Sequence, residues 1–297
     1  MNFHVLTLFP DMIEAAFHCS ITGRAQDRGI LELDCVNIRD FAEERRRGRV
    51  DDYSYGGGAG MIMQAEPVYR AVMSVLQKIS AKSRADEESR TDEEGRPDEE
   101  SRPGEESRPD EEKAPDAAPD LSGKRVRVLF MSPAGRTFDQ KMAEELAKEE
   151  DLVFLCGHYE GIDQRVIDEV VTDPVSIGDF VMTGGELPAL VMMDAISRMV
   201  PGVLTNSESA RTESFMGDGL LEYPQYSRPE VWHGRKVPEI LMSGNHGAVD
   251  RYRRETSLRL TADKRPDLCS GAVLDKKDRK FLRDAGLEKA YEGAKKV

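Results

Sequence analysis

The stretch SIGDFVMTGGELPAL, residues 176–190, holds three glycines, the acids Asp179 and Glu186, and no lysine or arginine. Glycine at this density lets a backbone turn tightly or approach another body, because no Cβ stands in the way. A loop built to cradle phosphate would add a basic side chain at a helix start. Here an anion would meet its own sign of charge, so the expected ligand is neutral or cationic. Two further stretches, SPAGRTFD (132–139) and CGHYEGIDQRV (156–166), also bear glycine. No segment reads G-x-G-x-x-G after the first strand or G-x-x-x-x-G-K-[ST], which excludes a dinucleotide fingerprint and a P-loop. Cys19, Cys35, Cys156 and Cys269 stand far apart, without C-x-x-C or paired histidines. That spacing argues against a zinc site and a disulfide framework, and all four are read as free, buried thiols.

The elements that must position these loops follow from periodicity. HVLTLF (4–9), ILELDCVNI (30–38), RVRVLFM (125–131) and DLVFLCG (151–157) read as strands. AEPVYRAVMSVLQKI (65–79) places Val68, Ala71, Val72, Val75, Leu76 and Ile79 at helical spacing, with Pro67 in the first turn. TFDQKMAEELAKEE and GIDQRVIDEVV behave likewise. Alternating strands and helices predict a parallel α/β sheet, with ligands at the carboxyl ends of its strands. All three glycine loops fall at such ends, the third after residues 173–177. Beyond Pro201 the pattern becomes polar loop and then helical pieces. The expected organisation is an α/β domain over 1–204, a flexible linker over 205–217 and a small helical domain over 218–297.

The net charge of −14 is unevenly spread. Residues 81–120 contain sixteen acids and seven bases, leaving a net of only −5 for the remaining 257 residues. The same region repeats with period six (ADEESR, TDEEGR, PDEESR, PGEESR, PDEEKA) and has almost nothing apolar to offset its conformational entropy. Residues 80–121 are therefore read as a disordered acidic insertion. At 39% hydrophobic residues the chain can still build a full core. No run approaches eighteen apolar residues, and MNFHVLTLFPDM lacks a basic region before a cleavable apolar segment. The expectation is a cytoplasmic protein with no membrane partner.

LFPDMIEAAF, ITGRAQDRG, VDDYSYGGGAGM, LCGHYEGIDQRV, SIGDFVMTGGELPALVMMDAISRMVPGVL, ESFMGDGLLEYPQYSRP and LMSGNHGAVDRYR occur in this order. Together they closely resemble the bacterial tRNA (guanine-37-N1)-methyltransferase family, over essentially the whole chain except 80–121. The resemblance implies a SPOUT-class α/β domain tied in a deep trefoil knot, an exception to the rule that chains do not thread. It also implies S-adenosylmethionine as methyl donor, a homodimer, and a tRNA substrate whose guanine 37 follows guanine 36. A Mg²⁺ requirement is implied too, although no metal-ligand spacing is visible in the sequence.

Carried over by position, the donor-binding residues are Ser132, Pro133 and Gly135 in the first loop and Gly157, Tyr159 and Glu160 in the second. The third loop contributes Ile177, Gly178, Asp179, Phe180, Val181, Met182, Gly184, Gly185 and Pro188. The general base falls on Glu213 in RTESF, where many relatives have aspartate. Arg198 matches the arginine that stabilises guanine O6. Asp51, Gly60 and Ser209 match positions that read the target guanine and the one before it, and a carboxylate at Asp51 suits guanine N1–H and N2–H donors. His158 replaces an arginine of the family pattern and is expected to be a loop histidine bonded to backbone, without a catalytic part. RRRGR (45–49) and Arg251, Arg253 and Arg254 read equally well as solvated surface or as phosphate contacts. Two rivals are an RNA-binding module without catalysis and a knotted enzyme acting on ribose 2′-OH or another base. The intact motifs speak against the first, and LLEYPQYSRP and SGNH against the second.

Overall fold

The computed structural model describes residues 1–94, 126–205 and 213–296. They form two compact units, Met1–Val203 and Leu204–Val297. The first is built on strands β1 (Asn2–Thr7), β2 (Glu32–Asn37), β5 (Arg127–Thr137), β6 (Asp151–Leu155) and β7 (Asp173–Ser176). All pair in parallel, in the order β2-β1-β6-β5-β7. A short antiparallel hairpin, β3 (Asp51–Tyr53) with β4 (Met61–Met63), stands apart from this sheet.

Alternation along the strands divides the core into two layers, because successive side chains leave opposite faces of a sheet. On one face Phe3, Leu129, Leu152 and Phe154 pack with Ile13 and Phe17 of α1 (Pro10–Phe17), Leu146 of α4 (Gln140–Leu146) and Met192 and Ile196 of α6 (Glu186–Ser197). Phe3 meets Phe17 edge-on at 5.4 Å between ring centroids. On the other face Leu6, Val153 and Leu155 pack with Val68, Val72, Val75 and Ile79 of α3 (Ala65–Glu94) and Val166 of α5 (Gln164–Val170). Every residue of the central strand β6 is buried, as expected for a parallel strand covered on both faces. Between the first two strands the chain also forms α2 (Ser20–Asp27).

Two readings of the sequence are corrected. Residues 80–94 are not a structureless start of the insertion: α3 continues to Glu94. The first proline after Pro67 is Pro97, so nothing breaks the helix before then. Its middle is also tied to β2 by Lys78 Nζ to Asp34 at 3.3 Å and Lys82 Nζ to Glu32 at 3.2 Å. The remainder of the insertion, 95–121, lies outside the described residues. Secondly, the strand expected to stop at 131 resumes against β7. Leu129–Met131 pair with Asp173–Val175, and Arg136 and Thr137 pair with Val175 and Ser176.

His4 occupies a polar cluster toward the amino ends of the strands. Its Nε2 faces Asp151 at 3.2 Å and its Nδ1 faces Asp34 at 3.4 Å. Burial alone would lower its pKa, but bonding to Asp151 and Asp34 outweighs this and holds it above the usual histidine value. Asp34 is held low, chiefly by the bond to His4. A raised folded-state pKa contributes stability that is complete below the unfolded value of ~6.5 and is lost as pH rises through the folded value. Urea midpoints should therefore fall as pH rises above about 6.5 in the wild type, and less steeply in His4→Gln. Identical slopes would remove His4 as the cause.

The second unit centres on a 19-residue helix, His246–Lys264, and a shorter helix, Lys276–Asp284. Asn245 caps the first, and a capping box of Asp275 and Asp278 starts the second. Leu220, Leu258, Leu274, Leu282 and Tyr291 form the core, and the Tyr291 hydroxyl donates to Leu258 O at 2.7 Å. Residues 213–217, expected to belong to a flexible joint, form a turn in which Phe215 N–H donates to Leu220 O at 2.9 Å. Residues 206–212 lie outside the described residues.

Candidate active site

The three glycine loops follow adjacent strands of the first unit and meet around a cavity of about 410 Å³. Thirteen of the fifteen residues assigned to the donor line it: Ser132 and Pro133; Gly157, Tyr159 and Glu160; Ile177, Gly178, Phe180, Val181 and Met182; Gly184, Gly185 and Pro188. Gly135 and Asp179 do not. Gly135 serves the fold instead, since a Cβ there would lie 2.3 Å from Val175 N, so the first loop rests backbone to backbone on β7. Sequence reasoning missed part of the wall. Phe130, Ile167 and Ser176, ordinary strand and helix residues, and Ile162, bridged to Met63, are among the residues it did not single out.

The lining contains no lysine or arginine, and its acidic residue is Glu160. Tyr159 adopts a left-handed backbone (φ +60°), an uncommon state for a side-chain-bearing residue and frequent where loops are held for function. Val181, at 90% exposure, and Phe180 give the cavity an apolar rim. The Cys156 thiol beneath the second loop is pushed well up, by burial first and by the charge of Glu186 second, so it is an inert core residue. Cys269 is also buried, Cys35 is half-buried and Cys19 is exposed, which corrects the expectation of four buried thiols.

The positions of the first unit expected to read the substrate are brought to the second loop. Glu160 N–H donates to Met61 O and Met63 N–H to Gly161 O, each at 2.9 Å, so β4 runs along that loop. Asp51 sits opposite Met63 in the hairpin. Gly60 (φ +103°) is pressed so closely against Glu160 that a Cβ would come within 2.6 Å of its side chain. Ser209 lies outside the described residues. Arg198 caps the C-terminal end of α6, its N–H donating to Asp194 O at 3.2 Å, and is not among the lining residues. Glu213 belongs to the second unit, at the turn where its carbonyl accepts from Met216 N–H at 3.3 Å.

His158 is not the backbone-bonded loop histidine expected. Its Nε2 lies 2.7 Å from Glu186, a carboxyl group at the first residue of α6 that is only 2% exposed as a residue. Among the basic runs, Arg46 pairs with Asp52 at 2.6 Å, Arg49 lies 3.4 Å from Asp51, and Arg45 pairs with Glu43. Arg251 and Arg254 both bind the buried Asp278, at 2.8 and 3.1 Å, and Arg254 also binds Asp218. Those two arginines neutralise a helix cap of their own unit. Arg253 instead lies over the Tyr223 ring at 4.9 Å.

Comparison with known proteins agrees with this geometry. The family model described as tRNA (Guanine-1)-methyltransferase TrmD matches residues 1–87 and 110–271, skipping the middle of the acidic repeat. A protein of Lachnoclostridium phytofermentans named tRNA (guanine-N(1)-)-methyltransferase is 50% identical over 287 residues, covering 97% of this chain and 98% of its own. Proteins of the same name from Alkaliphilus oremlandii and Clostridioides difficile are 44% and 42% identical, over 97% and 90% of this chain and 100% and 97% of theirs. A cavity of three glycine loops without phosphate-binding side chains, together with likeness over nearly the full length, places this chain in the tRNA (guanine-1)-methyltransferase family, a SPOUT family.

Proposed function

We infer that the chain transfers the methyl group of S-adenosylmethionine to N1 of guanine 37 in tRNA, where guanine 36 precedes it, as a homodimer acting in the cytoplasm. The observation that carries this reading is the cavity of a family member, lined by glycine loops and Glu160 and free of lysine and arginine. Such a lining suits a cationic sulfonium and an adenosine that needs backbone donors and acceptors. The donor supplies an electrophilic methyl group. Ser132, Pro133, Gly157, Tyr159 and the 177–188 loop bind and orient it.

Guanine N1 is a poor nucleophile until its proton leaves. Glu213 takes that proton as general base, and Arg198 donates to O6 as negative charge develops there. Asp51, at the hairpin beside the second loop, accepts from the edge of a guanine, and Gly60 and Ser209 shape its surroundings. Membership of a SPOUT family supports a threaded, knotted chain. α6 supports the dimer. Pro188, which lines the cavity, lies ten residues and so about 15 Å before Arg198, which is better placed to serve a second copy's cavity than its own. Among the described residues no group of three or more His, Cys, Asp or Glu could hold a metal, so no step is assigned to Mg²⁺. Likewise, no described helix is long and apolar enough to cross a membrane.

Mass mapping of a transcribed tRNA after incubation with enzyme and donor tests the reading. One methyl group on N1 of guanine 37 is expected, and none when guanine 36 is replaced. A methyl group on a ribose 2′-OH, or none at all, would overturn it.

A further inference from the structure

Three residues far apart in the sequence form a buried chain beneath the cavity. Thr7 ends β1 and is fully buried. Its hydroxyl donates to Glu186 Oε1 at 2.6 Å and accepts from Phe9 N–H at 2.9 Å. The other carboxyl oxygen of Glu186 receives His158 Nε2 at 2.7 Å. With side-chain exposures of 3% for Glu186 and 19% for His158, little water can replace either partner. The Phe9 ring packs on the imidazole with centroids 4.9 Å apart. His158 itself faces the cavity, and its backbone N–H points to Met63 Sδ at 3.3 Å.

Gly184 shows what this arrangement requires. A Cβ there would lie 2.4 Å from His158 Cε1 and Nε2 and 2.6 Å from Glu186 Oε2, so the third loop passes directly over the pair. Gly185 is held similarly, donating its N–H to Gly157 O at 3.0 Å. The second and third loops, which provide most of the cavity wall, are thus joined through one side-chain pair and one backbone bond. With Nε2 facing Glu186 at 2.7 Å, this contact fixes the orientation of the ring.

We propose that His158 and Glu186, braced by Thr7, are positioning residues for the methyl donor: they latch the second loop to the third and so set the affinity of the cavity for S-adenosylmethionine. The inference rests on the functional reading above. Arginine at position 158 could offer N–H donors to the same carboxylate. The pair touches the walls of the cavity. Its loss should therefore weaken donor binding while leaving turnover at saturating donor close to normal.

The test is titration calorimetry with S-adenosylmethionine alone, followed by steady-state kinetics with tRNA, on wild type, His158→Ala, Glu186→Gln, the double variant and His158→Arg. His158→Ala and Glu186→Gln are expected to raise donor Kd and KM by roughly 10- to 100-fold, with kcat within about threefold. The double variant should be no worse than the poorer single one, since both remove the same latch. His158→Arg should restore affinity to within a few-fold. Should His158→Ala fail to fold, His158→Gln and Thr7→Val probe the same chain with smaller changes in volume.

Donor Kd within twofold of wild type in the folded variants would overturn the proposal. So would additive effects in the double variant, or a fall in kcat with KM unchanged. A wild-type enzyme that binds no S-adenosylmethionine would instead overturn the functional reading, which keeps the two failures apart.

Discussion

Replacing Arg198 with alanine is expected to lower turnover by roughly 10²- to 10³-fold, with S-adenosylmethionine affinity within a few-fold of wild type. The first half follows from the chemistry. When N1 of guanine loses its proton, negative charge moves to O6, and one donor aimed at such a charge typically contributes an effect of that size. The second half follows from position. Arg198 lies at the far end of α6 from Gly185 and Pro188 and outside the donor cavity. Lysine would retain the charge but not the planar fork, so Arg198→Lys should recover only part of the rate. Single-turnover kinetics beside calorimetry separate the two quantities. An equal loss of donor binding would mean that Arg198 belongs to the donor site.

Mixing two inactive variants should restore about a quarter of wild-type activity. Gly184→Val displaces the third loop from the cavity wall, because even a Cβ at that position would lie 2.4 Å from the His158 ring. Glu213→Ala removes the proposed base. If the donor loops come from one protomer and Glu213 from its partner, a mixed dimer has one site with both lesions and one with neither. Random exchange makes about half of the dimers mixed, each with half of its sites intact. If one chain supplies both residues to the same site, every site keeps a lesion and the mixture stays silent. Mass labelling of the two variants establishes that subunits have exchanged, so that silence counts against the shared site.

The sequence by itself determined the class of the first unit. Alternation in ELDCVN and the apolar runs of β1 and β6 are short-range signals, and the strands and helices appear where those signals lie. Glycine loops at strand ends were legible for the same reason, and thirteen of the fifteen residues singled out in them line one cavity. The absence of lysine and arginine from that lining was also foreshadowed in the third loop. These features depend on residue type and local spacing, which a linear reading preserves.

Only the tertiary structure decided which distant groups meet. His158 and Glu186 are 28 positions apart, and Thr7 and Glu186 are 179 apart. No periodicity links them, because they come together only when β1, β6 and the start of α6 share one end of the sheet. Gly60 reaches Glu160 only because β4 runs along the second loop. Arg251 and Arg254 had equal claims as phosphate contacts until the fold placed the buried Asp278 between them. An arginine's role depends on its nearest opposite charge, and a buried carboxylate demands such a partner. The extension of α3 to Glu94 has the same origin: composition describes the cost of ordering a polar segment, while Lys78 and Lys82 meet their carboxylates only once α3 lies beside β2.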